Sequence, residues 1–262
     1  MELTLYQVDA FTDRLFAGNP AAVCPLGEWL TDATLQAIAE ENNLSETAFY
    51  IPSGDGFQIR WFTPTTEVEL CGHATLATAH VIFNRTDYGR DTIRFGSRGG
   101  ELTVTRDNDW LIMDFPAQPA TPCDSPKVLT EALGREPVEV LSGPDYLAVF
   151  DSEEVILAIQ PGFEALKRLD LRGVIVTAPG RDVDFVSRFF APKFGIDEDP
   201  VTGSAHCTLA PYWSERVDKA RLTARQLSRR GGEIICEVGG SRVALSGRAI
   251  TYLEGKLNIR IP

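Results

Sequence analysis

Two short segments of the sequence carry residue types that could bind and activate a small substrate. One is Glu69-Leu70-Cys71-Gly72-His73, and the other is Asp199-Pro200-Val201-Thr202-Gly203-Ser204; each precedes an apolar stretch of helical length. Small residues at a helix start let a ligand approach backbone N–H groups at the positive end of the helix dipole. Two such helix starts would suit a small anion such as a carboxylate. Alternatively, Asp199, Thr202 and Ser204 are helix caps, and the glycines only turn the chain.

Glu46 is the candidate general acid/base. It lies in the segment 42–51, which runs from a helix end into an apolar strand, where most glutamates would be unwelcome. Burial raises the pKa of a carboxylate towards a working pH, which acid/base catalysis needs. An exposed loop glutamate or a cap is the alternative. His73 is expected to reach into the same site, and His80 is expected to be structural, because seven residues separate them and a metal-chelating pair needs four.

Cys71 differs from the other cysteines because it stands at a helix start, where the pKa of a thiol falls. The others are scattered without a Cys-x-x-Cys spacing and are expected to be small buried hydrophobes; they are Cys24, Cys123, Cys207 and Cys236. The sequence also lacks the glycine-rich nucleotide motifs and the zinc signatures. No metal and no cofactor are therefore expected.

The two segments belong to an internal repeat. Phe62-Thr63-Pro64 precedes the first, Phe190-Ala191-Pro192 precedes the second, and the glycines at 72 and 203 are 131 positions apart, half the chain. Aligning Leu44 with Leu171 places Gly173 opposite Glu46. Only one half of a duplicated site would then carry the carboxylate.

Hydrophobic patterning predicts an α+β fold. One helix is expected to begin after Thr31, which would be its N-cap. Two more are expected at 74–83 and 205–213, and both should be buried because they are apolar on nearly all sides. Period-two alternation predicts strands, and Gly239-Gly240 predicts a hairpin. The predicted strands are 57–61, 92–95, 102–105, 111–115, 148–150, 155–159, 174–177, 233–237 and 242–245.

These elements predict two similar halves, each a sheet wrapped round its own central helix. The halves are 1–116 and 127–262, joined by the proline-rich segment 116–126. The alternative is that a C-terminal segment completes the N-terminal half.

Composition limits the partners. The 262 residues carry 25 Lys and Arg against 37 Asp and Glu, a net charge of −12, which argues against nucleic-acid binding. The apolar runs are shorter than the roughly 20 residues of a membrane span, and Met1-Glu2-Leu3-Thr4 does not resemble a signal peptide. The cysteines are odd in number and scattered, which favours a location in the reducing cytoplasm. A small anionic substrate is the expected partner, with no nucleic acid and no membrane.

Five separated motifs resemble the phenazine-biosynthesis isomerase-like (PhzF-like) family. They are 9–12, 16–23, 45–49, 62–75 and 197–206. The resemblance implies the diaminopimelate-epimerase-like fold, with two curved, mostly antiparallel sheets, each round a central helix, and the active site in the cleft between the halves. It also implies a homodimer and chemistry without a cofactor.

The resemblance further assigns residue roles. In the family's best-understood member a glutamate moves a proton between carbons of trans-2,3-dihydro-3-hydroxyanthranilate, and here that residue is Glu46. The substrate-binding positions of the family map to Gly72, His73, Asp199, Gly203 and Ser204, with Ser45 as a further member.

Related racemases and epimerases use two cysteines, one at each helix start. Here Cys71 stands at the first place and Pro200 near the second, so a two-cysteine reaction is not expected. Three functions stay open: an isomerase with Glu46 as acid/base, a racemase or epimerase that uses Glu46 with Cys71, and a small-acid-binding protein without catalysis.

Overall fold

Eighteen strands and six α-helices occupy residues 1–259, the part of the chain that the computed structural model describes. The strands are β1 (Glu2–Ala10), β2 (Asn19–Pro25), β3 (Glu46–Ser53), β4 (Gly56–Phe62), β5 (Glu67–Val68), β6 (Thr92–Ser97), β7 (Gly100–Asp107), β8 (Trp110–Pro116), β9 (Thr121–Pro122), β10 (Glu139–Ser142), β11 (Tyr146–Val149), β12 (Val174–Pro179), β13 (Phe185–Ala191), β14 (Ile196–Asp199), β15 (Arg221–Gln226), β16 (Gly232–Gly239), β17 (Arg242–Gly247) and β18 (Ala249–Asn258). The helices are α1 (Asp32–Asn42), α2 (Gly72–Arg85), α3 (Lys127–Leu133), α4 (Glu153–Ala158), α5 (Phe163–Leu166) and α6 (Gly203–Val217).

Contacts divide the chain into two units. The first contains Met1–Asp114 and the segment from Ser246 onward, and the second contains Phe115–Leu245. The division predicted from the sequence lay between residues 116 and 127. The later segment joins the first unit because β18 pairs antiparallel with β1 along its length.

The first unit is a mixed sheet in the order β18–β1–β2–β3–β4–β6–β7–β8, with the short β5 on β4. Only β2/β3 and β4/β6 are parallel. The second unit has the order β9–β10–β11–β12–β13–β15–β16, with β14 on β13. Its parallel pairs are β11/β12 and β13/β15. The same alternation of antiparallel and parallel pairs confirms two similar, mostly antiparallel halves in an α+β fold.

Each unit has one long buried helix. Ten of the fourteen residues of α2 are buried, and the helix packs on β1, β2, β3 and β18. Nine of the fifteen residues of α6 are buried, and this helix packs on β15 and β16. Fully burying one large apolar side chain such as Leu76 stabilises the fold by about 1.5–3 kcal/mol. Burial on several sides therefore fixes both helix starts within their own sheets.

Two local predictions differ in outcome. Thr31 is the N-cap of α1, and its side chain accepts a hydrogen bond from the Thr34 N–H at 3.3 Å, as predicted. The predicted strand 155–159 is wrong, because this segment largely belongs to α4. Ile156 and Ile159, three residues apart, are both buried, whereas Leu157 is 55% exposed; that spacing suits one face of a helix.

Two further features complete the architecture. The predicted connector forms part of the second unit, since β9 pairs with β10 and the Ala117 N–H donates to the Ser241 carbonyl. Among the described residues, no helix combines the length and hydropathy that crossing a membrane requires.

Candidate active site

Glu46 is the first residue of β3, and its position follows from the turn before it. Asn43, the C-cap of helix α1, has a left-handed conformation (φ 47°), and only three residues connect the helix to the strand. In the parallel β2/β3 pair, Glu46 lies opposite Ala21. The Glu46 side chain is 12% exposed, so it is neither an exposed loop glutamate nor fully inaccessible.

Ser45 lies beside Glu46 and approaches a buried amide. Its hydroxyl is 3.5 Å from the Oδ1 atom of Asn19, a residue that is fully buried at the start of β2. Asn19 was not among the predicted site residues. The only signal for it was its place in the 16–23 motif.

The start of α2 supplies the other polar groups of this half-site. Cys71 is the N-cap residue, with an extended backbone and no capping hydrogen bond from its side chain, and Gly72 opens the helix. The Cys71 carbonyl instead accepts bonds from the backbone N–H (3.1 Å) and the hydroxyl (2.6 Å) of Thr75. The first N–H groups of an α-helix have no partner within the helix. This helix start can therefore donate hydrogen bonds to a ligand.

The structure brings Glu46, Cys71 and His73 together. The His73 Nε2 atom is 3.2 Å from Glu46 Oε2, and His73 Nδ1 is 3.5 Å from Cys71 Sγ. One ligand atom from each of the three side chains lies within 4.8 Å of the others. The Nε2 contact is close but not aligned as a hydrogen bond, and catalytic hydrogen bonds often align only when substrate binds.

His73 is an uncharged group in this cluster. Its burial disfavours the imidazolium and lowers the pKa of His73 to about 3. The ring therefore carries one N–H at neutral pH and can act as donor at one nitrogen and acceptor at the other. A neutral imidazole can polarise a substrate or orient Glu46 without adding a full charge.

His80, which was expected to be structural, lies about two turns after His73 on α2. Its Nε2 atom is 3.0 Å from the Thr251 hydroxyl. The Asn84 side-chain amide is 3.3 Å from His80 Nδ1 and donates to the His80 carbonyl at 2.8 Å. None of these partners belongs to the Glu46 cluster.

The second unit has a glycine where the first has Glu46. Glu46 immediately precedes the residue that pairs with Phe62, and Gly173 immediately precedes the residue that pairs with Phe190. The two phenylalanines are equivalent in the repeat, so the strand register supports the alignment drawn from sequence. The second unit therefore has no glutamate at the position that corresponds to Glu46.

The residue of α6 that corresponds to Cys71 is not Pro200, as the sequence had suggested. Thr202 is the N-cap of α6, as Cys71 is of α2, so Thr202 and not Pro200 stands at the second cysteine position. The two loops differ in length, which displaced the alignment. The Thr202 hydroxyl makes no capping hydrogen bond to the first turn of α6, and instead donates to the Asp199 carboxylate at 2.5 Å.

Gln226 holds the loop before α6 in place. Its side-chain amide donates to the Asp199 carbonyl at 2.8 Å and to the Thr202 hydroxyl at 3.2 Å, while its oxygen accepts from the Thr202 N–H at 2.8 Å. Gln226 is fully buried on β15. Its role depends on contacts 24 and 27 residues away and has no local signal in the sequence.

Arg172 adds a positive charge beside the same helix start. Its Nε and Nη2 atoms donate to the two carboxylate oxygens of Asp145 at 2.9 and 2.5 Å, and Nη2 also donates to the Ser204 hydroxyl at 3.1 Å. Asp145 is 1% exposed, whereas the Arg172 side chain is 41% exposed. Hydrogen bonding to Asp145 raises the pKa of Arg172. A guanidinium fixed in this way can bind a carboxylate.

The predicted site residues therefore form two groups. Ser45, Glu46, Cys71, Gly72 and His73 lie together in the first unit. Asp199, Gly203 and Ser204 lie together at the start of α6 in the second unit, with Arg172 and Gln226 as members that sequence reasoning missed.

Comparisons with known proteins give matches over nearly the whole chain. The profile of the family described as phenazine biosynthesis-like protein matches residues 8–255. A Pseudomonas aeruginosa protein named as an uncharacterized isomerase is 55% identical over 259 residues, which cover 99% of this chain and 100% of that protein. A crystal structure of a PhzF-family phenazine biosynthesis protein from Enterococcus faecalis has a TM-score of 0.97 at 47% identity, covering 99% of this chain and 100% of that one.

A more distant likeness concerns the fold alone. The crystal structure of a probable proline racemase from Agrobacterium radiobacter K84 has a TM-score of 0.62 at 12% identity and covers 99% of this chain and 93% of that one. The architecture is thus shared with structures named as racemases.

Proposed function

Because the chain belongs to the phenazine biosynthesis-like (PhzF-like) family of isomerases, we propose that Glu46 moves a proton between two carbons of a small carboxylated substrate, without a cofactor. The observation that carries this proposal is the mostly buried Glu46 carboxylate 3.2 Å from a neutral imidazole. The reaction would resemble that of trans-2,3-dihydro-3-hydroxyanthranilate isomerase.

In the proposed reaction Glu46 takes a proton from an activated carbon and returns it to another. Positioned acid/base catalysis of this kind contributes about 10²–10⁴-fold to the rate. His73 contacts Oε2 of this carboxylate and helps to orient it towards the substrate. N–H groups at the start of α2, near Gly72, stabilise the negative charge that develops on the substrate as the proton leaves.

Asp199, Gly203 and Ser204 are proposed to bind the substrate, with Arg172 as the cation that pairs with its carboxylate. At Gly203 an added Cβ would meet only a Leu245 methyl at 3.8 Å, so packing does not demand glycine. The small residue instead leaves the α6 N–H groups open to a ligand. Screening reduces the effect of the overall −12 charge beyond about 8–10 Å.

The geometry favours one acid/base over two. A racemase that used Glu46 and Cys71 would need them on opposite faces of a carbon, each about 3–3.5 Å from it, and therefore about 6–7 Å apart. Their reactive atoms lie within 4.8 Å of each other, and His73 contacts both. A single carboxylate that transfers a proton along one face of the substrate fits this spacing better.

The test is proton NMR in D₂O with a panel of small amino and hydroxy acids that includes dihydro-hydroxyanthranilate. Loss of a carbon-bound proton signal, together with conversion of one compound, would support the isomerase and identify its substrate class. Line broadening of a compound without exchange would favour the non-catalytic binding protein instead.

We also propose, from the family resemblance, a cytoplasmic homodimer with no nucleic-acid or membrane partner. Light scattering during size exclusion tests the dimer. The expected mass is twice the 28.8 kDa of one chain, and a mass of one chain at all concentrations would contradict it.

A further inference from the structure

We propose that the cluster of Glu46, Cys71 and His73 is also a binding site for a thiophilic divalent cation such as Zn²⁺, and that the bound cation inhibits the protein. Cation binding is argued from this cluster alone, whereas inhibition rests on the proposed function of Glu46. No short zinc motif marks this cluster in the sequence, because Glu46 lies 25 positions before Cys71 and 27 before His73.

The spacing of sulfur and nitrogen matches a zinc site. Zinc binds thiolate at about 2.3 Å and imidazole at about 2.0–2.1 Å in tetrahedral geometry, which places those two ligand atoms about 3.5 Å apart. The observed distance from Cys71 Sγ to His73 Nδ1 is 3.5 Å. These two ligands therefore need little rearrangement to hold the ion.

Glu46 provides the third ligand. Its carboxylate lies within 4.8 Å of Cys71 Sγ and of a ring nitrogen of His73. Because Oε2 is 3.2 Å from Nε2 and the sulfur is next to Nδ1, the carboxylate would turn towards Nδ1 as the ion binds. Three protein ligands with one open position is the pattern of zinc sites that exchange their fourth ligand. Among residues 1–259 this is the one group of three such side chains within that distance.

Charge and ligand type select the cation. The thiolate and the carboxylate together balance a 2+ charge, and a neutral imidazole offers a lone pair to the ion. The mostly buried carboxylate, 12% exposed, gives the ion a route from solvent. Sulfur and nitrogen ligands favour zinc or cadmium over magnesium and calcium.

Binding has a definite proton balance. The Cys71 thiol loses its proton to solvent as the metal–sulfur bond forms, and no oxidation or reduction takes place. The start of α2 disfavours a cation but stabilises the thiolate. The ion would then occupy Glu46 and prevent it from accepting a substrate proton.

The experiment is a titration of the full-length protein with Cd²⁺, monitored by the ultraviolet sulfur-to-metal charge-transfer band and by proton release in weak buffer. We expect the band to saturate at one Cd²⁺ per chain, with about one proton released for each ion bound. Cys71→Ala should abolish the band, and His73→Gln should weaken binding at least about 10-fold. Cys207→Ala, which removes a buried cysteine of α6, is the matched control and should bind as the wild type does.

Absence of the band in wild type, or an equal band in Cys71→Ala, would overturn the proposal. So would equal weakening by Cys207→Ala. These results are independent of whether Glu46→Gln retains isomerase activity, so failure of the cation site and failure of the proposed function are distinguishable. Inhibition is tested separately: Zn²⁺ at saturating concentration should suppress the D₂O exchange of wild type, and removal by a chelator should restore it.

Discussion

The glycine at position 173, where the first unit has Glu46, should have a steric cause, and Gly173→Ala tests it. A Cβ at Gly173 would lie 2.7 Å from a ring carbon of Phe189 and 2.8 Å from the carbonyl oxygen of Phe190. The backbone cannot easily move away, because the Gly173 carbonyl accepts the Tyr146 N–H at 3.0 Å. Phe189 is itself 5% exposed, so its ring has little room.

The expected effect combines two opposing contributions. Overpacking of this kind costs about 1–3 kcal/mol, and loss of glycine flexibility in the unfolded chain offsets about 0.4–1 kcal/mol. The free energy of unfolding should therefore fall by about 1–2 kcal/mol. With an m-value of about 3 kcal/mol/M in urea, the midpoint should fall by about 0.3–0.7 M.

The assay is urea denaturation followed by circular dichroism. Gly89→Ala is the matched control, because a Cβ there meets no atom within 4 Å, and it should leave the midpoint within error or slightly higher. Phe189→Leu combined with Gly173→Ala should recover part of the loss, since only the ring contact is relieved. A Gly173→Ala variant as stable as wild type would refute the steric explanation.

Three further predictions concern the same units. Arg172→Met should lower the free energy of unfolding by about 1–3 kcal/mol, which is less than for a fully buried ion pair because the Arg172 side chain is 41% exposed. Adding Asp145→Asn should restore most of the lost stability, and urea denaturation measures the single and the double variant. Gln226→Ala should cost about 1–3 kcal/mol by the same assay, because it leaves buried partners of the α6 loop unsatisfied, and an unchanged midpoint would contradict this. Burial lowers the pKa of His73 to about 3 and that of His206 to about 4, so the unfolded state binds more protons than the folded state below about pH 6.5. The free energy of unfolding should therefore fall as the pH drops from about 6.5 towards 4, by up to about 1.4 kcal/mol per pH unit for each histidine. His206→Asn should reduce the measured slope.

The sequence predicted what depends on local pattern. The helices α2 and α6 were recognisable because they are apolar on nearly every side, and the Thr31 cap has a short-range mechanism. The segment 155–159 was assigned wrongly because an apolar run this short fits either a strand or one face of a helix, and only burial of Ile156 and Ile159 decides.

The missed residues have partners that are distant along the chain. Arg172 meets Asp145 and Ser204 at separations of 27 and 32 residues, and Asn19 meets Ser45 at 26. No local pattern encodes such contacts. Glu46, by contrast, could be proposed because a glutamate that opens an apolar strand is conspicuous without any knowledge of its neighbours.

The most direct test of the central claim is the turnover of wild type, Glu46→Gln and Glu41→Gln on the compound that the D₂O panel identifies. Glu41 is an exposed glutamate of α1 in the same unit, so its substitution controls for the loss of one carboxylate. Glu46→Gln should keep the fold and bind the compound but turn it over about 10²–10⁴-fold more slowly, while Glu41→Gln should match wild type. A Glu46→Gln variant that exchanges and converts the compound at the wild-type rate would contradict the assignment of Glu46 as the acid/base.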